Sequence, residues 1–91
     1  MKSELHKLEK IMREYGADKE KYSIGEYAEG KVCIVWHYNR EFIVFLGKLD
    51  DRYDCHRFDS IVDAGYNLYK RIEKDDEKRR IMKGILKESF K

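Results

Sequence analysis

Residues 31–47 read KVCIVWHYNREFIVFLG, two runs dense in Val, Ile, Phe, Leu and Trp on either side of Asn39-Arg40. β-branched and aromatic residues suit a pleated strand, and the polar pair between the runs marks a hairpin tip, so strands are expected over residues 31–38 and 41–47. Val32, Ile34, Trp36 and Tyr38 alternate with Cys33, Val35 and His37, and Phe42, Val44 and Leu46 alternate with Ile43 and Phe45. Apolar residues therefore occupy both faces. Alternation alone leaves the register open, and the sheet needs cover on both sides or leaves one side for a partner.

Upstream of the hairpin, residues 22–28 form a weaker strand interrupted by Gly25, with Glu29-Gly30 as its terminating turn. Downstream, residues 49–52 read as a second turn and residues 53–58 as a further antiparallel strand. Helices flank the sheet. Leu5, Leu8, Met12 and Tyr15 recur at helical spacing with Ile11 widening the stripe, Ser3 as the N-cap and Gly16 as the C-terminal stop. Past the sheet, Ser60 with Asp63 resembles a capping box, and Ile61, Ala64, Leu68 and Ile72 form the apolar face of a second helix, where Gly65 permits close approach to the sheet. Ile81, Met82, Ile85, Leu86 and Phe90 resume the stripe after a polar interval, with a break near Asp75-Asp76. The expected fold is α+β: an N-terminal helix, an antiparallel sheet of three to four strands, and one or two C-terminal helices packed on it.

Ninety-one residues suffice for one domain, 1–91, with a single modest core. No apolar run approaches the roughly 20 residues of a membrane span, and the first residues carry mixed charges without a leader-type apolar stretch, so a cytoplasmic protein is expected. Cys33 and Cys55 are then reduced thiols rather than a disulfide framework. The net charge of +2 hides an uneven distribution: residues 22–69 carry eight acids against five bases, whereas residues 70–91 carry nine bases against five acids. An acidic centre suits a basic partner, and a basic tail an acidic one.

Catalytic signatures are missing. There is no phosphate-binding glycine loop and no nucleophile elbow, and the histidines are His6, His37 and His56. Cys33 and His37 on one strand stand roughly 13 Å apart at ~3.3 Å per residue, too far to share a metal, and Cys55 and His56 point to opposite faces. Asp50, Asp51 and Asp54 lack the glycine and closing Glu of a calcium loop. No cofactor and no metal are expected, nor an enzyme. The acids can instead form a lip, with Glu26, Glu29 and Asp59, facing a basic protein surface. Seven tyrosines, among them Tyr22, Tyr27, Tyr38 and Tyr53 at strand edges or turns, offer large contact area at low entropic cost.

The segment Tyr22-Ser23-Ile24-Gly25-Glu26-Tyr27-Ala28-Glu29, then Val32-Cys33, the aromatic strand from Phe42 to Phe45, Gly47, Tyr53 and Phe58 together resemble a family of small immunity proteins from bacterial polymorphic-toxin and contact-dependent growth inhibition systems. The resemblance covers residues 22–72. Glu26 stands where that family tends to have a second glycine, Asp50-Asp51 where it has a glycine-containing turn, and the helix through Ile81 and Phe90 has no counterpart in it. It implies a protein that binds the C-terminal domain of a cognate toxin, often a nuclease, and neutralises it by stoichiometric occlusion. Candidate toxin contacts are Glu26, Tyr27, Glu29, Asp50, Asp51, Tyr53 and Asp54.

The alternative is a small nucleic-acid-binding regulator that uses Lys78, Arg79, Arg80, Lys83 and Lys87. The order helix, three strands, helix is also that of the double-stranded RNA-binding domain, which grips phosphate at the start of its last helix. Here that end, residues 58–63, is acidic and repels phosphate, which makes nucleic acid the weaker expectation. Dimerisation through an apolar sheet face or the third helix is a further expectation.

Overall fold

The computed structural model describes residues 2–91. The elements follow in the order α1 (Ser3–Glu14), β1 (Tyr22–Ile24), β2 (Val32–His37), β3 (Glu41–Lys48), β4 (Asp51–Phe58), α2 (Ile61–Ile72) and α3 (Asp76–Ser89). The strands form one sheet in the order β1-β2-β3-β4. The α+β architecture is as expected from the sequence. One pairing is not: β1 runs parallel to β2, with Tyr22 opposite Val32 and Ile24 opposite Ile34, while β2–β3 and β3–β4 are antiparallel.

The register left open by the alternation is now fixed. Ile34 pairs with Val44 and Trp36 with Phe42, while Cys33 pairs with Phe45 and Val35 with Ile43. The first set faces the helices in the larger core, with Leu5, Leu8, Met12, Leu68, Met82 and Leu86. The second set forms a smaller cluster on the opposite face, against Tyr27 and Ala28. Over β2 and β3 both faces are covered within the chain, and burial of each large side chain such as Phe42 or Phe45 contributes about 1.5–3 kcal/mol.

The cover on the second face is the connection between the parallel strands. Such a crossover usually takes a dozen or more residues and a helix; here residues 25–31 make it, ending the first strand at Ile24 rather than at residue 28. Gly25, at φ 97, donates to the Ile34 carbonyl at 2.8 Å, and Ser23 Oγ donates to the Glu26 carbonyl at 2.9 Å, turning the chain back. The loop then docks on the end of β3: Gly30 N–H donates to Gly47 O at 2.7 Å, and Gly47 N–H to Lys31 O at 2.9 Å. A Cβ at Gly47 would stand 2.5 Å from the Ala28 carbonyl oxygen, so this position admits no side chain while the loop lies flat.

On the helical side, α2 lies across β2 and β3, α1 flanks β1, and α3 packs on α2. Gly65 faces Leu8 of α1 and Leu86 of α3, so its small size serves helix–helix approach and not, as the sequence suggested, approach to the sheet. Ser3 is the first helical residue of α1 and makes no side-chain cap, because Lys2 holds the cap position. Gly16, at φ 75, does terminate α1, with Ala17 N–H donating to Met12 O and Gly16 N–H to Arg13 O in a Schellman-type stop. Ser60 Oγ accepts from Val62 and Asp63 N–H at the start of α2, and Asp75 Oδ1 accepts from Glu77 and Lys78 N–H at the start of α3. The break at Asp75-Asp76 is therefore a capped helix start. Tyr15 and Ile81, expected in the apolar stripes, are 55% and 52% exposed. Among the described residues no helix is long and apolar enough to cross a membrane.

Candidate functional site

Glu29 organises the corner where the crossover loop meets the β3–β4 turn. Leu49 and Asp50, the two turn residues between Lys48 and Asp51, both have positive φ, 54° and 58°, the geometry of a type I′ hairpin. Non-glycine residues resist that region, and the consecutive N–H groups of the turn are both taken up by Glu29. Glu29 Oε2 accepts from Leu49 N–H at 2.8 Å, Glu29 Oε1 accepts from Asp50 N–H at 3.3 Å, and the Tyr27 hydroxyl donates to Oε1 at 2.6 Å. The Tyr27 ring in turn stacks on Phe45, 6.3 Å between centroids. One carboxylate thus ties together the loop, the sheet and the turn.

The titration of the pair follows from this geometry. The hydrogen bond to Glu29 is the main cause that pushes the Tyr27 phenol up to about 12 from its ordinary 10.0. Glu29 is held below the usual carboxylate range, first by that hydroxyl and then by the Leu49 and Asp50 amides.

The seven residues read as partner contacts are divided by the fold. Glu26, Tyr27, Glu29 and Asp50 lie on the crossover loop or the turn it clasps, and the hydrogen bonds of Tyr27 and Glu29 are directed inward. Asp51 opens β4 and its Oδ1 accepts from Arg52 N–H at 2.8 Å. Tyr53 pairs with Leu46, which places it on the face opposite Arg52, whose guanidinium lies 4.8 Å from the Phe45 ring centre. Asp54 is on the helical side as well. Its carboxylate is 3.9 Å from Arg71 and 3.2 Å from His56, and its carbonyl accepts from Arg71 Nη2 at 2.9 Å.

Asp54 and Cys55 together oppose Phe45, a β-bulge in which Asp54 has φ 51°. The strand carrying it is an edge. From Asp51 to Arg57 every residue of β4 is exposed, and its outer backbone edge has no neighbour in the sheet. Glu26, Asp50, Asp51 and Asp59 form no ion pair among the described residues, whereas Arg57 pairs with Glu41 at 3.4 Å and Arg71 with Asp54. The tyrosines do not cluster. Tyr22 is in the core, Tyr38 is 81% exposed at the β2–β3 tip, and Tyr53 is 44% exposed near the β3–β4 tip, at the other end of the sheet.

Cys33 is a buried thiol beneath the loop, where Sγ accepts from Ala28 N–H at 3.4 Å and lies 3.4 Å from the Lys31 carbonyl. Burial pushes its pKa up, which opposes nucleophilic use. Cys55 is exposed, and both thiols are free. Among the described residues no three His, Cys, Asp or Glu side chains are grouped to hold a metal ion.

The basic tail is divided too. Arg79 closes the end of α2, donating to the Lys70 and Glu73 carbonyls and pairing with Asp76 at 3.6 Å, and Arg80 pairs with Glu77. Lys83 and Lys87 instead face a groove of about 220 Å³ between α2 and α3, lined also by Phe58, Val62, Asp63, Tyr66, Asn67 and Lys70. Asn67 is the one buried polar residue among those described, 6% exposed, and its Oδ1 has no hydrogen-bond partner. Motif and charge patterns do not single it out; the available signal is an amide between Ala64 and Leu68 on the apolar face of α2.

No family model, no curated protein and no solved structure matches this chain.

Proposed function

We propose that this protein is a non-catalytic inhibitor of the immunity-protein type, which binds a basic toxin domain through the β3–β4 turn and the exposed strand β4. The observation that carries the reading is the combination of an exposed edge strand with a turn that Glu29 and Tyr27 hold in one conformation. Ordering a turn before association lowers the entropy lost on binding. Asp50, Asp51 and Asp59 and, on the crossover loop, Glu26 have no ion-pair partner within the described residues, and neither have Lys48 and Arg52 beside the turn, while Arg57 and Arg71 are engaged; residues 48–59 carry four acids against three bases. That slight acidic excess favours a basic partner.

The bulge at Asp54 interrupts the outer edge of β4 and guards against indiscriminate strand pairing. Recognition accordingly rests on side chains: Leu49, 72% exposed, and Tyr53 supply apolar contact area, and the acids surround them. Tyr27 and Glu29 act by holding the turn. Arg79 and Arg80, two of the five bases of the nucleic-acid alternative, are engaged within the chain.

Co-expression with the C-terminal domain encoded by an adjacent toxin gene tests the proposal. A one-to-one complex is expected, weakened strongly by Asp50→Lys or Tyr53→Ala and little by changes on α1. Failure of the purified proteins to associate at micromolar concentration overturns it.

A further inference from the structure

Two apolar stripes run along α3, and the core uses only one of them. Met82 and Leu86 are buried in the larger cluster. Ile81 and Ile85 stand one turn apart on the adjoining strip, Ile81 exposed and Ile85 half-buried. Tyr15, exposed at the end of α1, lines the same two shallow hollows as these isoleucines, so the three make one continuous apolar patch. Lys78 and Glu88 extend the strip at either end. Positions 78, 81, 85 and 88 have the alternating three- and four-residue spacing of a coiled-coil seam. Among the described residues Lys78 forms no ion pair, and Glu88 has only Lys91, in an exposed contact at 3.3 Å. Both charges also oppose the helix dipole, which favours acids in the first turn and bases in the last; Asp76, Glu77 and Lys87 obey that preference in the same helix.

We infer that α3 pairs with the α3 of a second copy of this chain, antiparallel and about a two-fold axis. The sequence of the strip selects that arrangement. Residues 81 and 85 share a midpoint along the helix with residues 78 and 88, so one axis sets each Ile81 against the other copy's Ile85 and each Lys78 against the other copy's Glu88. A parallel pair would instead oppose lysine with lysine and glutamate with glutamate. The four isoleucines fill the middle of the seam, Tyr15 covers its margin, and opposite charges close both ends. The 14 residues of α3 rise only about 21 Å, so the contact is small and the dimer reversible. No residue of the β3–β4 turn or of β4 takes part, which leaves the proposed partner surface free.

The test is analytical ultracentrifugation of the full chain at low salt, from micromolar to millimolar protein. A monomer–dimer equilibrium is expected. Lys78→Glu and Glu88→Lys should each weaken it by about ten-fold or more, because each variant sets like charges at both ends of the seam. An equimolar mixture of the two variants should recover a dimer at least as tight as the parent, since every end pair is again of opposite sign. Both substitutions are at exposed positions and agree with the helix dipole, so the variants keep their fold, which circular dichroism checks. Ile81→Ser, also at an exposed position, should remove the association. A protein that stays monomeric at millimolar concentration overturns the inference. So does a dimer that none of these substitutions weakens, which marks another interface, and so does a mixture no tighter than the separate variants, which excludes the antiparallel register.

Discussion

Replacing Gly47 with alanine should detach the crossover loop from the sheet. The new Cβ would lie 2.5 Å from the Ala28 carbonyl oxygen, 3.0 Å from the Tyr27 ring and 3.3 Å from the Ala28 carbonyl carbon. The closest neighbour is main chain, so a rotamer change cannot relieve it, and the loop must retreat by roughly half an ångström to one ångström to restore ordinary contact. That movement strains the hydrogen bonds from Gly30 N–H to Gly47 O and from Gly47 N–H to Lys31 O, each contributing about 0.5–1.5 kcal/mol. It also loosens the packing of Tyr27 and Ala28 over Cys33 and Phe45. Overpacking of this kind costs about 1–3 kcal/mol, and alanine recovers roughly 0.5–1 kcal/mol through the smaller entropy of its unfolded chain. The expected net loss is about 2–3 kcal/mol, a fall in Tm of roughly 10–20 °C for a domain of this size. Urea unfolding followed by Trp36 fluorescence measures it. Gly84→Ala is the control: nothing lies within 4 Å of the position its Cβ would take, and it should stabilise α3 by about 0.5–1 kcal/mol. A Gly47→Ala midpoint equal to that of the parent would refute the loop placement.

The Tyr27–Glu29 contact makes a pH prediction with a definite sign. A phenol pKa raised from 10.0 to about 12 contributes stability that is present below pH 10 and lost as pH rises through about 12. The lowered carboxylate of Glu29 contributes stability that is present above its unfolded pKa and lost as pH falls through its folded value. Absorbance titration should therefore reveal Tyr27 among the late-ionising tyrosines, with Tyr22 and Tyr69, which burial pushes up, and Glu29→Gln should return one of them toward 10.0; an unchanged titration curve in that variant would refute the contact. Thiol reagents should modify Cys55 rapidly in the folded protein and Cys33 only after unfolding, and equal rates would contradict the buried position of Cys33. Arg79→Ala should destabilise the protein by about 1–2 kcal/mol, because two carbonyls at the end of α2 lose charged donors, whereas Arg80→Ala should be close to neutral.

The hairpin of β2 and β3 was legible because β-branched and aromatic residues crowd both runs and the polar tip separates them. Its register was not, since apolar residues occupy both faces and either assignment buries a full set. What settles it is the cover: α2, backed by α1 and α3, over Ile34 and Val44, and the loop containing Tyr27 and Ala28 over Cys33 and Phe45. The parallel pairing of β1 was hidden for a related reason. Seven residues are too few for a helical crossover, so Gly25 and Gly30 read as a weak strand and a turn, whereas they let a bare loop serve as the second layer. Helix boundaries at Gly16 and Ser60 were readable from cap chemistry, and the break at Asp75 from the polar interval in the apolar stripe, whereas the cap read at Ser3 is not made. The candidate surface was legible only in part. Composition located the acids around residues 50–54, but the use of Glu29 to hold the turn depends on a partner twenty residues away, and the turn of Asp54 toward Arg71 depends on a bulge that no residue type announces.

Mapping the amides of β4 during titration with a toxin domain encoded by an adjacent gene decides whether this strand and its turn form the proposed partner surface. The largest shifts, and new protection from hydrogen exchange, are expected over residues 49–57 as a one-to-one complex saturates. Shifts confined to α1 and α3, with residues 49–57 unchanged in a saturated complex, would contradict that assignment.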